Sequence, residues 1–301
     1  MAVELGDLKL KNPVITCSGT FGSGIEYANF YDPSILGAVT TKSFSLSPRQ
    51  GNPPPRIFET AGGILNSIGL QNPGIDKFIS YDLPLIKKLN INAILSIFGE
   101  TIAEFEQIAG RILDVADQIG GVELNLSCPN VDKGGMAFCS CPEDIREIAS
   151  RVKQILNRPV IVKLSPNVGQ LKHQALAAKQ GGADAVSLIN TLVGTAFDIE
   201  TFKPRLGNVT GGLSGPAIKP IALAKVLEIA REEIIPVIGM GGIFDYRDAL
   251  EFMVAGAAAV GIGTVNFIDY NAGKKIINGM TDYLNSKNID HIGKIIGRAF
   301  K

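Results

Sequence analysis

Cys128 follows Asn125-Leu126-Ser127 at the end of a short apolar run and stands directly before Pro129. A thiol at a strand end, beside a proline-bounded loop, is partly exposed, and its neighbours can tune the thiolate so that it accepts a proton. The competing reading of such a cysteine is a small buried hydrophobe. Lys163 ends a second apolar run, PVIVKLSP, where an ammonium is costly unless it meets an anion or snorkels to a rim. Lys42 ends a third run, AVTTKSF, in the same way. Asn125, Asn190 and Thr191 close runs as well, and Asn66 lies in a long loop. An amide at a strand end often only forms a turn, but together these groups offer donors and acceptors to a polar ligand. Gly241-Gly242 and Gly263-Thr264 let backbone approach closely, which suits phosphate oxygens as well as ordinary tight connections.

These groups need a frame that brings strand ends together. Eight short apolar runs recur along the chain: VITCSG from Val14, AVTTKSF from Ala38, AILSIFG from Ala93, GVELNLSC from Gly121, PVIVKLSP from Pro159, AVSLINT from Ala185, PVIGMGG from Pro236 and AAVGIGT from Ala258. Strands so uniformly apolar are covered on both faces, as in a parallel sheet with crossover helices. Helical periodicity covers Ile102–Ile119, Glu143–Leu156, Leu171–Gln180, Ala217–Glu232 and Tyr246–Ala255. Eight alternations predict an α/β fold of the (β/α)8 TIM-barrel type, as one domain over 1–301, with its chemistry at the strand C-termini. A small N-terminal hairpin turns at Gly6-Asp7. Two long connections, Ser45–Gly74 and Thr191–Gly215, leave C-terminal strand ends and can fold over the mouth. A third, Pro129–Pro142, is a candidate lid.

Composition narrows the function. The 29 basic and 29 acidic residues cancel, without any Lys/Arg block, which argues against nucleic acid or an anionic membrane as partner. The N-terminus lacks the apolar run of a signal peptide, no stretch suits a membrane helix, and four irregularly spaced cysteines are not a secreted disulfide framework. The expected location is the cytoplasm. No metal is expected: Cys139-Ser140-Cys141 offers two ligands, and Cys17, His173 and His291 are poorly placed to complete a set. The pair reads as two free thiols on a mobile loop, incidental or oxidation-prone.

Three segments carry a resemblance: Asn125-Leu126-Ser127-Cys128-Pro129-Asn130, Asn66-Ser67-Ile68-Gly69-Leu70-Gln71-Asn72-Pro73-Gly74, and Gly211-Gly212-Leu213-Ser214-Gly215-Pro216-Ala217. With Lys163 and the two glycine turns, they resemble the dihydroorotate dehydrogenases from about Val3 to about Phe267, in family order. Gly51-Asn52-Pro53-Pro54-Pro55-Arg56, Ser165-Pro166-Asn167-Val168 and Gly215-Pro216-Ala217-Ile218-Lys219-Pro220 look like the class 1B catalytic subunit.

That resemblance implies FMN and oxidation of dihydroorotate to orotate in pyrimidine biosynthesis, with Cys128 as the base. It implies a partner subunit carrying FAD and a [2Fe–2S] cluster that passes electrons to NAD, and a homodimer within a heterotetramer. The FMN-binding residues it implies are Ser18, Lys42, Ser43, Ser96, Asn125, Lys163, Ile189, Gly215, Gly241, Gly242, Gly263 and Thr264. Lys163 would stabilise the negative charge of the reduced flavin. The substrate-binding residues it implies are Lys42, Asn66, Ser67, Ile68, Gly69, Leu70, Asn125, Asn190 and Thr191. Ser96 departs from the family pattern, which has asparagine there; serine has the shorter reach. Two enzymatic alternatives stay open at this point, a class 1A enzyme reducing fumarate and another flavin barrel. A non-catalytic barrel would have no need of Cys128 and the two lysines.

Overall fold

The computed structural model describes residues 1–126 and 136–301. Each apolar run folds as a strand: Val14–Thr16, Val39–Thr40, Ala93–Ile97, Gly121–Asn125, Val160–Lys163, Ala185–Leu188, Val237–Met240 and Ala259–Ile262. The eight pair in parallel, in chain order, with the last strand against the first. A single parallel bridge, Ile15 to Ala38, joins the first strand to the second and brings the ring round on itself. All residues of these strands are buried, because the barrel interior covers one face and the helices the other. The Val3–Leu5 and Leu8–Leu10 hairpin pairs antiparallel, as expected.

The helices follow the apolar periodicity. Pro142–Leu156 turns Ile145, Ile148, Ala149 and Val152 into the core, and its Pro at the first turn suits a position whose N–H has no helical partner. Tyr246–Val254 begins at a capping box in which Asp245 accepts from the Arg247 and Asp248 amides. The segment expected as one helix over Ile102–Ile119 is α-helical only to Ile112 and tightens to a 3-10 helix over Leu113–Gln118. Among the described residues, no helix is long and apolar enough to cross a membrane.

The two long connections meet. Ile57–Thr60 and Gly63–Asn66 from the first, and Leu192–Thr195 and Thr210–Ser214 from the second, form one four-stranded antiparallel sheet. The joining ladder sets Gly212 opposite Asn66 and Ser214 opposite Ile64. Buried Asn72 ties down the loop beyond: its Oδ1 accepts from the amides of Ser45 and Gly74, and its Nδ2 donates to Ser45 Oγ and Leu70 O. Gly69 can only be glycine here, since its φ is +72° and a Cβ would sit 2.6 Å from the Asn52 backbone nitrogen.

Candidate active site

At the C-terminal ends of the strands, beneath this sheet, lies a cavity of about 600 Å³, within the roughly 300–1,000 Å³ usual for small-molecule sites. The strand ends supply its floor: Cys17 and Ser18 after the first, Lys42 and Ser43 after the second, Asn125 from the fourth and Lys163 from the fifth. Ile189, Asn190 and Thr191 follow the sixth strand. Gly241-Gly242 follow the seventh and Gly263-Thr264 the eighth, with Gly215 beside them. Asn66, Ile68, Gly69 and Leu70 reach in from the sheet side. Asn66 Nδ2 donates to the Gly212 carbonyl, so its position depends on the ladder that joins the two loops.

Charge in this cavity is unevenly satisfied. Lys163 is nearly buried; its Nζ donates to Ser18 Oγ at 3.2 Å and lies 3.9 Å from Glu123 Oε1. The Lys42 ammonium has no hydrogen-bond or ion-pair partner among the described residues. Burial, and then the nearby Arg56 guanidinium, hold its proton affinity below the usual lysine range. A cation left in this position favours an anionic ligand that would restore the charged form. Asn125 donates from Nδ2 to Ser43 Oγ at 2.9 Å, while its buried Oδ1 has no partner among the described residues. A buried carbonyl oxygen of that kind calls for a donor, and a ligand N–H would provide one.

The thiols differ from one another. Cys17 borders the cavity, but its sulfur packs on Met240 Sδ at 3.7 Å, and desolvation pushes it up to about 12 despite the opposing pull of Lys163. Cys139 corrects an expectation. It is no exposed loop thiol but a buried residue ending a short helix; its sulfur accepts the Ser165 amide, and burial pushes it up to about 12. Cys128 lies outside the described residues, as does the first half of the connection expected as a lid. Asn125, three residues before Cys128, ends the fourth strand at the cavity. Among the described residues, no three His, Cys, Asp or Glu side chains gather as a metal site.

Two expected contacts fall elsewhere. Ser67 is fully buried away from the cavity, accepting from Asn52 Nδ2 through its hydroxyl. Ser96 stands opposite Glu123 in the strand register, one inward layer below the Asn125–Lys163 pair, so its hydroxyl meets Ser43 and Glu123 instead of the cavity. Glu123 is the residue that the sequence reading missed. Its signal was a lone charge inside the apolar run GVELNL, where a carboxylate persists only if it is paired or hydrogen-bonded.

Lysines, amides and glycine turns around a strand-end cavity define an α/β-barrel enzyme built for a small anionic ligand. The family model of dihydroorotate dehydrogenase matches residues 1–284, and the chain belongs to that family. It is 54% identical over 297 residues to the "Dihydroorotate dehydrogenase B (NAD(+)), catalytic subunit" of Thermoanaerobacter pseudethanolicus, covering 99% of this chain and 98% of that one. Proteins of the same description from Desulforamulus reducens and Geobacter sp. (strain M21) are 50% and 49% identical, over 99% of this chain and 98% and 97% of theirs. Family membership implies a flavin, and the relatives' description as a catalytic subunit implies a further subunit.

Proposed function

We infer that this chain oxidises dihydroorotate to orotate in pyrimidine biosynthesis, as the catalytic subunit of an NAD-linked dihydroorotate dehydrogenase. The observation that carries this reading is one cavity uniting Lys42, Lys163, Asn66, Asn125 and Asn190 with the glycine turns, in a chain about half identical to such subunits over its whole length. We take residues 1–301 as one barrel domain that binds FMN, and the enzyme as cytoplasmic. The ammonium of Lys42 and the Asn125 Oδ1, both without a partner among the described residues, fit an anionic, imide-bearing ligand pair.

In this reading Cys128 takes the proton from C5 of the substrate. Bound flavin supplies a hydride acceptor for C6. Lys42 holds the substrate carboxylate, and the amides of Asn66, Asn125 and Asn190, with Thr191, orient the ring. Lys163 provides a fixed positive charge on the cavity floor. Gly241, Gly242, Gly263 and Thr264 would hold the FMN phosphate. Ser18, Ser43, Ile189 and Gly215 complete the flavin's surroundings. A partner subunit carrying FAD and a [2Fe–2S] cluster would take the electrons on to NAD, with two catalytic subunits in a heterotetramer.

Gly242 offers a direct test of the phosphate turn. Its φ is +79°, and a Cβ would lie 2.9 Å from both the Gly215 carbonyl oxygen and the Lys219 amide nitrogen. Gly242→Val should therefore weaken FMN binding at least about tenfold, roughly 1.4 kcal/mol, in a fluorescence titration of the apoprotein. Unaltered affinity would move the phosphate elsewhere.

The whole reading is tested by anaerobic titration of the purified chain with dihydroorotate while flavin absorbance is followed. Bleaching is expected, and neither fumarate nor NAD should restore the colour without the partner subunit. Reoxidation by fumarate would make the chain self-sufficient. Flavin that never bleaches would remove the substrate assignment.

A further inference from the structure

Neither Glu123 nor Ser96 lines the cavity, yet both belong to a buried chain of hydrogen bonds that ends there. Asn125 Nδ2 meets Ser43 Oγ at 2.9 Å, Ser43 Oγ meets Ser96 Oγ at 2.8 Å, and Ser96 Oγ meets Glu123 Oε1 at 3.3 Å. The other carboxylate oxygen accepts from Ser187 Oγ at 3.0 Å. A carboxylate only accepts, so Ser96 must donate to Glu123. Each serine has one hydroxyl hydrogen. Ser96 must then accept from Ser43, and Ser43, having donated inward, can only accept from Asn125.

The direction of every link is thus set from the deep end, and it leaves the Asn125 amide one orientation. Nδ2 is turned toward Ser43, and Oδ1 is the atom without a partner among the described residues. We propose that Glu123 and Ser96 are positioning residues that act through Ser43 to hold Asn125 as an acceptor, selecting a pyrimidine ring N–H in the bound ligand. This rests on the function inferred above. It also gives Ser96 a role that needs no contact with ligand: a hydroxyl can relay the direction of a hydrogen bond that a charged group fixes.

The test is a double-mutant cycle read by orotate binding to the oxidised holoenzyme, followed through the flavin absorbance change, with the melting temperature of each apoprotein as a second readout. Ser96→Ala removes one buried oxygen and should weaken orotate about tenfold, the scale of one hydrogen bond. In an Asn125→Ala background the same change should cost less than about twofold, because the group it acts through is gone. Wild-type protein should also reject an orotate N-methylated at the selected position more strongly than Ser96→Ala does. Glu123→Gln supplies the same cycle if Ser96→Ala does not fold, since an amide can donate to Ser96 and release the fixed direction. A loss that is equal in both backgrounds, or orotate affinity unchanged by both variants, overturns the proposal while leaving the enzyme's function standing. Wild-type holoenzyme that does not bind orotate overturns the functional reading, and this proposal with it.

Discussion

Cys128→Ala lowers the rate of flavin reduction by dihydroorotate about 10²- to 10⁴-fold, the usual contribution of a positioned general base, and leaves the flavin bound. The expectation of a loss this large rests on the absence, among the described residues, of a substitute thiol at the cavity. Cys17 is the thiol on the cavity wall among the described residues, and desolvation holds it near 12. At pH 7 that leaves a thiolate fraction on the order of 10⁻⁵. Cys139 is held equally high and is buried against Ser165. Neither can take over the proton. Stopped-flow reduction under anaerobic conditions measures the step directly, and the visible spectrum of the purified variant reports flavin content. Reduction at the wild-type rate would remove Cys128 from the chemistry; a colourless variant would make it structural.

Lys163→Ala should have the second-largest effect, through two separate losses. The first is chemical: without the ammonium on the cavity floor, the negative charge that accompanies flavin reduction loses its counter-charge, so the midpoint potential falls and reduction slows. The second is structural. Glu123 is 2% exposed, and breaking a buried ion pair from one side costs about 3–5 kcal/mol. Glu123 keeps the hydroxyls of Ser96 and Ser187, so the lower end of that range, about 3 kcal/mol, is expected. Denaturant unfolding of the apoprotein reads the second loss and dye-equilibrated reduction of the holoenzyme the first. Lys163→Met, which keeps most of the stem, should show both effects as well, since neither depends on filling space. A variant with unchanged potential and unchanged stability would leave Lys163 without either role.

The barrel was legible in the sequence because burial on both faces writes each strand as an apolar run, and Gly, Asn, Ser or Lys ends it where the chain leaves the core. All eight strands fall inside the runs that predicted them. The sheet over the mouth was not legible. Its strands are four or five residues long and only partly buried, and their partners are set by pairing across 146 residues, as between Asn66 and Gly212. No local pattern carries that register. Within the site, the strand-end residues Lys42, Asn125 and Lys163 were legible as polar groups where an apolar run stops. The depth of Ser96 was not legible: it faces the barrel interior like Asn125, but at the level of Glu123, and alternation along a strand gives a face without giving a layer.

The sheet over the mouth joins segments that lie far apart in the chain, a pairing that would carry a large loop-closure cost if it formed alone. Here the barrel has already brought the ends of the second and sixth strands to the same rim, so the ceiling inherits anchor points fixed by the core beneath it. Its formation is therefore conditional on the barrel, while the barrel's eight-stranded core does not depend on it. Because Asn66 hangs from the joining ladder, one of the proposed ligand contacts depends on a pairing between two loops and not on the barrel alone.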